Sequence, residues 1–169
     1  MAVTKKTYNS VGGFAVNETT VINELRDIKN INSLQIQNSN FTDCSKVDYI
    51  LKGSNTSILS LDNSNSLITL PSNTVNFITG HIVGVNASGG GHLSLKIEST
   101  ATCSSSGDVQ VLSELITTIK DSVPSGETWS ATSYDAGAAN KFSYSVVRAG
   151  TIVAIKWIAY VEVVSVLWT

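Results

Sequence analysis

The chain has 169 residues, with 11 Lys+Arg against 13 Asp+Glu and a net charge of −2. That length suits about one domain and allows roughly 70% of the unfolded surface to be buried, so no metal or disulfide framework is needed for folding. No basic surplus exists to neutralise a phosphate backbone or dock on an anionic membrane, which argues against a general nucleic-acid binder and a membrane-surface protein.

Only 14% of residues are charged, whereas Ser (24), Thr (17) and Asn (14) together supply about a third of the chain. Small hydroxyl and amide residues mixed with Val and Ile read as an all-β chain with many turns. A surface kept soluble by hydroxyls leaves apolar area that a partner subunit could cover. The two cysteines, Cys44 and Cys103, lie far apart without metal-type spacing and read as reduced, packed thiols. No apolar run follows Met1, which argues against a secretory signal.

In chain order, residues 1–16 read as a polar extended arm. A helix is expected next. Asn17 can cap it, Glu18 suits its N-terminal dipole, and Val21, Ile22, Leu25 and Ile28 form an apolar stripe at helical spacing. A helix of about a dozen residues is marginal alone, so this one would serve for docking. Residues 1–32 thus form an arm and docking helix, and 33–169 a β domain.

From Ser33 the pattern is strands and turns. Short runs occupy 34–36, 48–52, 58–61 and 67–70. Residues 75–86 and 92–103 alternate at period two around the glycine-rich turn 88–91, which reads as a hairpin connection. Leu93, Leu95, Ile97, Ala101 and Cys103 point inward, and Ser94, Lys96, Glu98 and Thr100 outward. Runs at 109–112, 115–119, 129–134 and 141–147 continue the sheet. In the last stretch Val153, Ile155, Trp157, Ala159, Val161 and Val163 share one face, with Lys156, Tyr160 and Glu162 on the other. That periodicity, together with the two charges, excludes a membrane-spanning helix. The pattern predicts an antiparallel β-sandwich or jelly roll preceded by the arm and one short helix.

The search for chemistry is mostly negative. His81 and His92 flank one turn without further metal-type ligands, so a shared metal site is the weaker reading beside ordinary strand histidines. Residues 88–91 lack the Gly-Lys-Ser/Thr and following helix of a phosphate cradle. Asp43, Asp48, Asp62 and Asp135 fall in turns, and Glu98 and Glu162 on outward strand faces. No pair of them is placed for acid–base work. The expectation is a protein with no catalytic residues, metal or cofactor. Trp129, Trp157 and Trp168 with Tyr134, Tyr144 and Tyr160 could line a sugar platform, but Trp157 falls on a core face.

Three segments carry a resemblance. They are Phe77-Ile-Thr-Gly-His-Ile-Val-Gly-Val85 with the strand opened by His92, then Tyr134-Asp-Ala-Gly-Ala-Ala-Asn140 with its aromatic-rich strand, then Ile155-Lys-Trp-Ile-Ala-Tyr-Val-Glu-Val163. Together, over about residues 75–166, they resemble a β-sandwich domain of tailed-phage virion proteins, and the Asn/Ser-rich stretch 8–74 is similar to structural proteins of marine cyanobacterial phages. The resemblance implies a non-enzymatic virion protein. It would be a homotrimer outside the particle, as a capsid decoration or a tail or head fibre knob, contacting other virion proteins. The alternative is a receptor- or carbohydrate-binding module that meets a host surface glycan. Ile158, Tyr160, Val164 and Trp168 are the expected oligomer interface, because the non-core face of the last strand is too apolar for a solvated surface. Thr100 is expected on an outward face that is already polar.

Overall fold

The computed structural model describes residues 14–16, 19–22, 28, 31–137, 139–150 and 153–168. The chain divides into two units, Met1–Asn32 and Ser33–Thr169. In the first, β1 (Phe14–Val16) pairs antiparallel with β2 (Thr19–Ile22), and Ile22 bridges to Ile28. The expected helix is therefore corrected where it can be seen: Val21 and Ile22 stand in a strand, Ile28 pairs with it, and Leu25 lies outside the described residues. The four consecutive β-branched residues 19–22 account for this. Each is stiff at χ1 and fits a pleated strand better than a helical turn. Among the described residues there is no helix at all.

The second unit is all-β and antiparallel. Its strands are β3 (Ser33–Ile36), β4 (Cys44–Ser54), β5 (Ile68–Thr69), β6 (Thr74–Asn86), β7 (His92–Cys103), β8 (Val109–Ser122), β9 (Thr128–Asp135), β10 (Lys141–Ala149) and β11 (Ile155–Leu167). Six form one sheet in the order β3-β4-β11-β6-β7-β8, and three form another in the order β5-β10-β9. The last strand is thus inserted between β4 and β6 and hydrogen-bonds to both along nearly its whole length.

The expected phases of the long strands hold. Ile155, Trp157, Ala159, Val161 and Val163 are buried, as are Leu93, Leu95, Ile97, Ala101 and Cys103. Val153 is the exception. It precedes β11 and is exposed, so it does not join the core face. The β6–β7 hairpin is closed by the Asn86 side chain, whose Oδ1 accepts the Gly91 N–H at 3.2 Å, while Gly89 takes φ +74°, a conformation only glycine adopts freely.

The buried faces of the two sheets contribute to one core. Trp129 of β9 meets Trp157 of β11 edge-on at 6.2 Å, and Phe142 and Tyr144 of β10 stack edge-on at 5.4 Å. Two glycines make room for these rings. A Cβ on Gly80 would stand 2.3 Å from the Tyr144 hydroxyl, and one on Gly84 would stand 2.5 Å from the Trp157 ring. The glycines in β6 are therefore sockets for aromatic rings.

Both lateral openings between the sheets are bridged. On one side the segment 57–60 hydrogen-bonds to β4 through Ser60 and Lys52, and to β10 through the Leu59 N–H on the Tyr144 carbonyl. The run expected as a strand at 58–61 is thus a strap between sheets. On the other side the Glu114 carboxylate of β8 accepts the Ser133 N–H of β9, and Asp135 Oδ2 accepts the Val111 N–H at 3.2 Å.

Two substitutions test this core. Trp157→Ala is predicted to cost about 3–5 kcal/mol, the usual range for truncating a buried aromatic, read from the denaturant midpoint. Tyr144→Phe should do the reverse. The Tyr144 hydroxyl is buried without a hydrogen-bond partner, a situation that costs about 1–3 kcal/mol, so its removal should raise stability by about 1 kcal/mol. Burial, with the Glu114 charge adding to it, holds the Tyr144 phenol above the ordinary tyrosine range. The unfolded phenol ionises near pH ~10. This contribution to stability is therefore complete below that pH and falls as pH rises beyond it. Tyr144→Phe should flatten the alkaline limb of the stability profile, as followed by urea melts.

Candidate functional site: the outer face of the six-stranded sheet

Strand register places residues from distant parts of the chain on the outer face of the larger sheet. One row across it runs Ile50, Tyr160, His81, Lys96. The next on one side runs Lys52, Ile158, Val83, Ser94, and further rows on the other side include Lys46, Val164, Phe77, Thr100. Ile50 is 58% exposed, Ile158 51%, Phe77 48% and Leu115 60%. Of the expected interface residues, Ile158, Tyr160 and Val164 lie within this face, and Trp168 lies exposed just past the end of β11. Thr100 points outward as expected. It pairs with Phe77 and belongs to this same face.

The outer face of the smaller sheet has the opposite character. Ser130, Thr132 and Ser145 occupy it, Ser143 of the same phase is buried with its hydroxyl donating to the Leu59 carbonyl, and Val147 is the large exposed apolar residue there. Hydroxyls suit a solvated sheet surface, whereas contiguous apolar area of several hundred Å² on a monomer marks a contact surface. With strands about 4.8 Å apart and residues rising about 3.3 Å, the larger face spans on the order of 1,000 Å². A standard interface uses about 800 Å² per partner.

Some of the charges embedded in this face are paired with one another, whereas Lys52 and Lys156 at its end are in no ion pair among the described residues. Lys46 Nζ lies 2.8 Å from Glu162 and 3.3 Å from Asp48, and Lys96 Nζ lies 3.0 Å from Glu98. The bond to Glu162, chiefly, and the nearby Asp48 raise the Lys46 pKa. Asp48, expected in a turn, stands in β4 and faces Glu162 across the ladder. The Tyr160 phenol is raised above its ordinary pKa by desolvation and then by Asp48, and its ring lies 6.2 Å from His81. Such exposed pairs add little stability. Their effect is to reduce the cost of desolvating the middle of the face, where Lys46 and Lys96 stand.

Among the described residues, the carboxylates Asp48, Glu98 and Glu162 of the face lie within ion-pair distance of Lys46 or Lys96. Among the described residues no group of three or more His, Cys, Asp or Glu could hold a metal ion. His81 and His92 pair with Lys96 and Val85 respectively, which puts them four residues apart along the ladder, about 13 Å, so they cannot share a ligand. No helix among the described residues is long and apolar enough to cross a membrane.

A second feature was not legible in the sequence. Where β4 ends, Lys52, Ser54, Asp62, Asn63, Asn65 and Lys156 surround a cleft of about 480 Å³. Asp62 Oδ1 accepts the N–H groups of Ser64 (2.8 Å) and Ser66 (3.1 Å), and those bonds, the one from Ser66 first, hold its carboxyl below the usual range. The members are spread from position 52 to position 156: the Lys52–Ser60 backbone bonds bring the 62–65 loop to β4, and the β4–β11 register adds Lys156.

No family model matches the chain, and neither the curated proteins nor the solved structures contain a match to it.

Proposed function

We propose that this chain is a non-enzymatic structural protein of a tailed-phage virion, acting as a homotrimer on the exterior of the particle as a capsid decoration or a tail or head fibre knob. Each protomer is read as an antiparallel β-sandwich of the jelly-roll kind. The self-assembly rests on one observation, the contrast between a hydroxyl-lined outer face on β5-β10-β9 and an apolar outer face on β3-β4-β11-β6-β7-β8. A face of that size and composition is suited to burial against further copies of itself under closed symmetry. The virion setting and the number three rest on the resemblance carried by residues 77–85, 134–146 and 155–163.

The alternative, a receptor- or carbohydrate-binding module, is favoured by the cleft beside Lys52 and Lys156. The two readings are compatible, because a fibre knob can both assemble and bind.

Mass spectrometry of purified particles tests the virion setting: the protein is expected as a stoichiometric component, and its absence would overturn the proposal. The assembly face has its own test. Ile158→Asp places a charge in the centre of the apolar face, whereas Thr132→Asp places one on the exposed hydroxyl face of β9. Size-exclusion chromatography should show the first variant shifted to a smaller species and the second unchanged. Equal behaviour of the two would refute burial of that face.

A further inference from the structure

The cleft at the end of β4 carries a more specific assignment, which rests on the binding-module reading of the chain. Its volume of about 480 Å³ lies within the range of about 300–1,000 Å³ usual for small-molecule sites. Its polar groups differ in how far they are already committed. Thr56 Oγ1 donates to the Ile58 carbonyl and accepts the Ile58 N–H, and Ser60 Oγ donates to the Asp62 carbonyl. These two hydroxyls are used in building the wall. Asp62 is used as well, by the two N–H groups of its own loop.

The remaining groups are less committed: Lys52 feels the Asp62 charge across the cleft, as the last of the causes that hold the Asp62 carboxyl low, but makes no ion pair with it. Among the described residues, the ammonium groups of Lys52 and Lys156 have no carboxylate within ion-pair distance. The Ser54 hydroxyl and the side-chain amides of Asn63 and Asn65 likewise have no hydrogen-bond partner there. Lys52 and Lys156 lie on adjacent strands, diagonal to each other across the β4–β11 ladder, so both ammonium groups border the same opening. A ligand for this site would place an anion between the two lysines and present hydroxyls to two amides and a serine. The two cations outnumber the single carboxylate, whose charge is held chiefly by the N–H groups of its own loop and only weakly by Lys52.

We propose that this cleft binds a carboxylated sugar, the acidic residue of a glycan, with Lys52 and Lys156 holding the carboxylate and Asn63, Asn65 and Ser54 reading the ring hydroxyls. Lysine ammonium groups act as point charges with three donors each, which suits a carboxylate approached from two sides. Neutral sugars would leave both cations unpaired. Simple carboxylates would leave the amides unread.

The test is an amide chemical-shift titration of the full-length, isotopically labelled protein with N-acetylneuraminate, glucuronate, glucose, acetate and inorganic phosphate, each up to tens of millimolar. Saturable shifts at Gly53, Ser54 and Asn63 are expected for at least one of the two carboxylated sugars, with glucose, acetate and phosphate at least tenfold weaker. The double variant Lys52→Gln, Lys156→Gln should lose at least tenfold in affinity while keeping the wild-type thermal midpoint, since both side chains are exposed. Three results overturn the assignment: no saturable shift with either carboxylated sugar, equal shifts with acetate or phosphate, or undiminished binding by the double variant. Saturable sugar shifts confined to another surface would overturn this site while leaving the binding-module reading standing.

Discussion

The fold depends on one strand being hydrogen-bonded on both sides. β11 is the last segment of the chain, yet it lies in the middle of the six-stranded sheet, paired with β4 from Lys156 to Val166 and with β6 from Ile155 to Leu167. Its inner residues, Trp157, Ala159, Val161 and Val163, are the floor of the core. Because a one-residue slip would exchange its two faces, its register also fixes which side chains of β4 and β6 point outward. The aromatic sockets depend on the same register. Gly84 stands opposite Trp157, and Gly80 is where the Tyr144 ring from the other sheet comes down.

That register also has a consequence on the far side of the sheet. The residues of β11 between its core positions are mostly apolar, and they align with Ile50 of β4 and with Phe77 and Val83 of β6, which are apolar too. A solvated strand would alternate apolar with polar, as β9 and β10 do on their outer faces with Ser130, Thr132 and Ser145. The ion pairs of Lys46 with Asp48 and Glu162, and of Lys96 with Glu98, partly offset the charges in the middle of the larger face. One sheet thus has a core on one side and, on the other, a surface where exposed apolar side chains are interleaved with a charged row of Asp48, Glu162, Thr79 and Glu98. The cleft lies where this face runs out, at the end of β4.

The sequence was legible where alternation was clean. β6, β7 and β11 are half-buried strands with one face in the core, and period two is all that is needed to phase them. It was less legible for β8, expected as two runs. This edge strand is exposed along most of its length on both faces, so burial imposes no pattern on it. Val21, Ile22, Leu25 and Ile28 meet the helical spacing, but the β-branched run Thr19–Ile22 favours the strand that forms there. The strap at 57–60 was invisible for another reason: its role is to hydrogen-bond to two sheets at once, and backbone bonds leave no residue pattern. The β11 part of this outer face could be read from the sequence alone. Its extension over β4 and β6 required the knowledge that the last strand is inserted between them, and the cleft required the same knowledge for Lys156.

The central claim is that the outer face of the six-stranded sheet is buried against other copies of the chain. Multi-angle light scattering across a range of micromolar concentrations tests it most directly. The account predicts a mass three times the 17.9 kDa of one chain, persisting on dilution. A mass near 17.9 kDa at every concentration would contradict it.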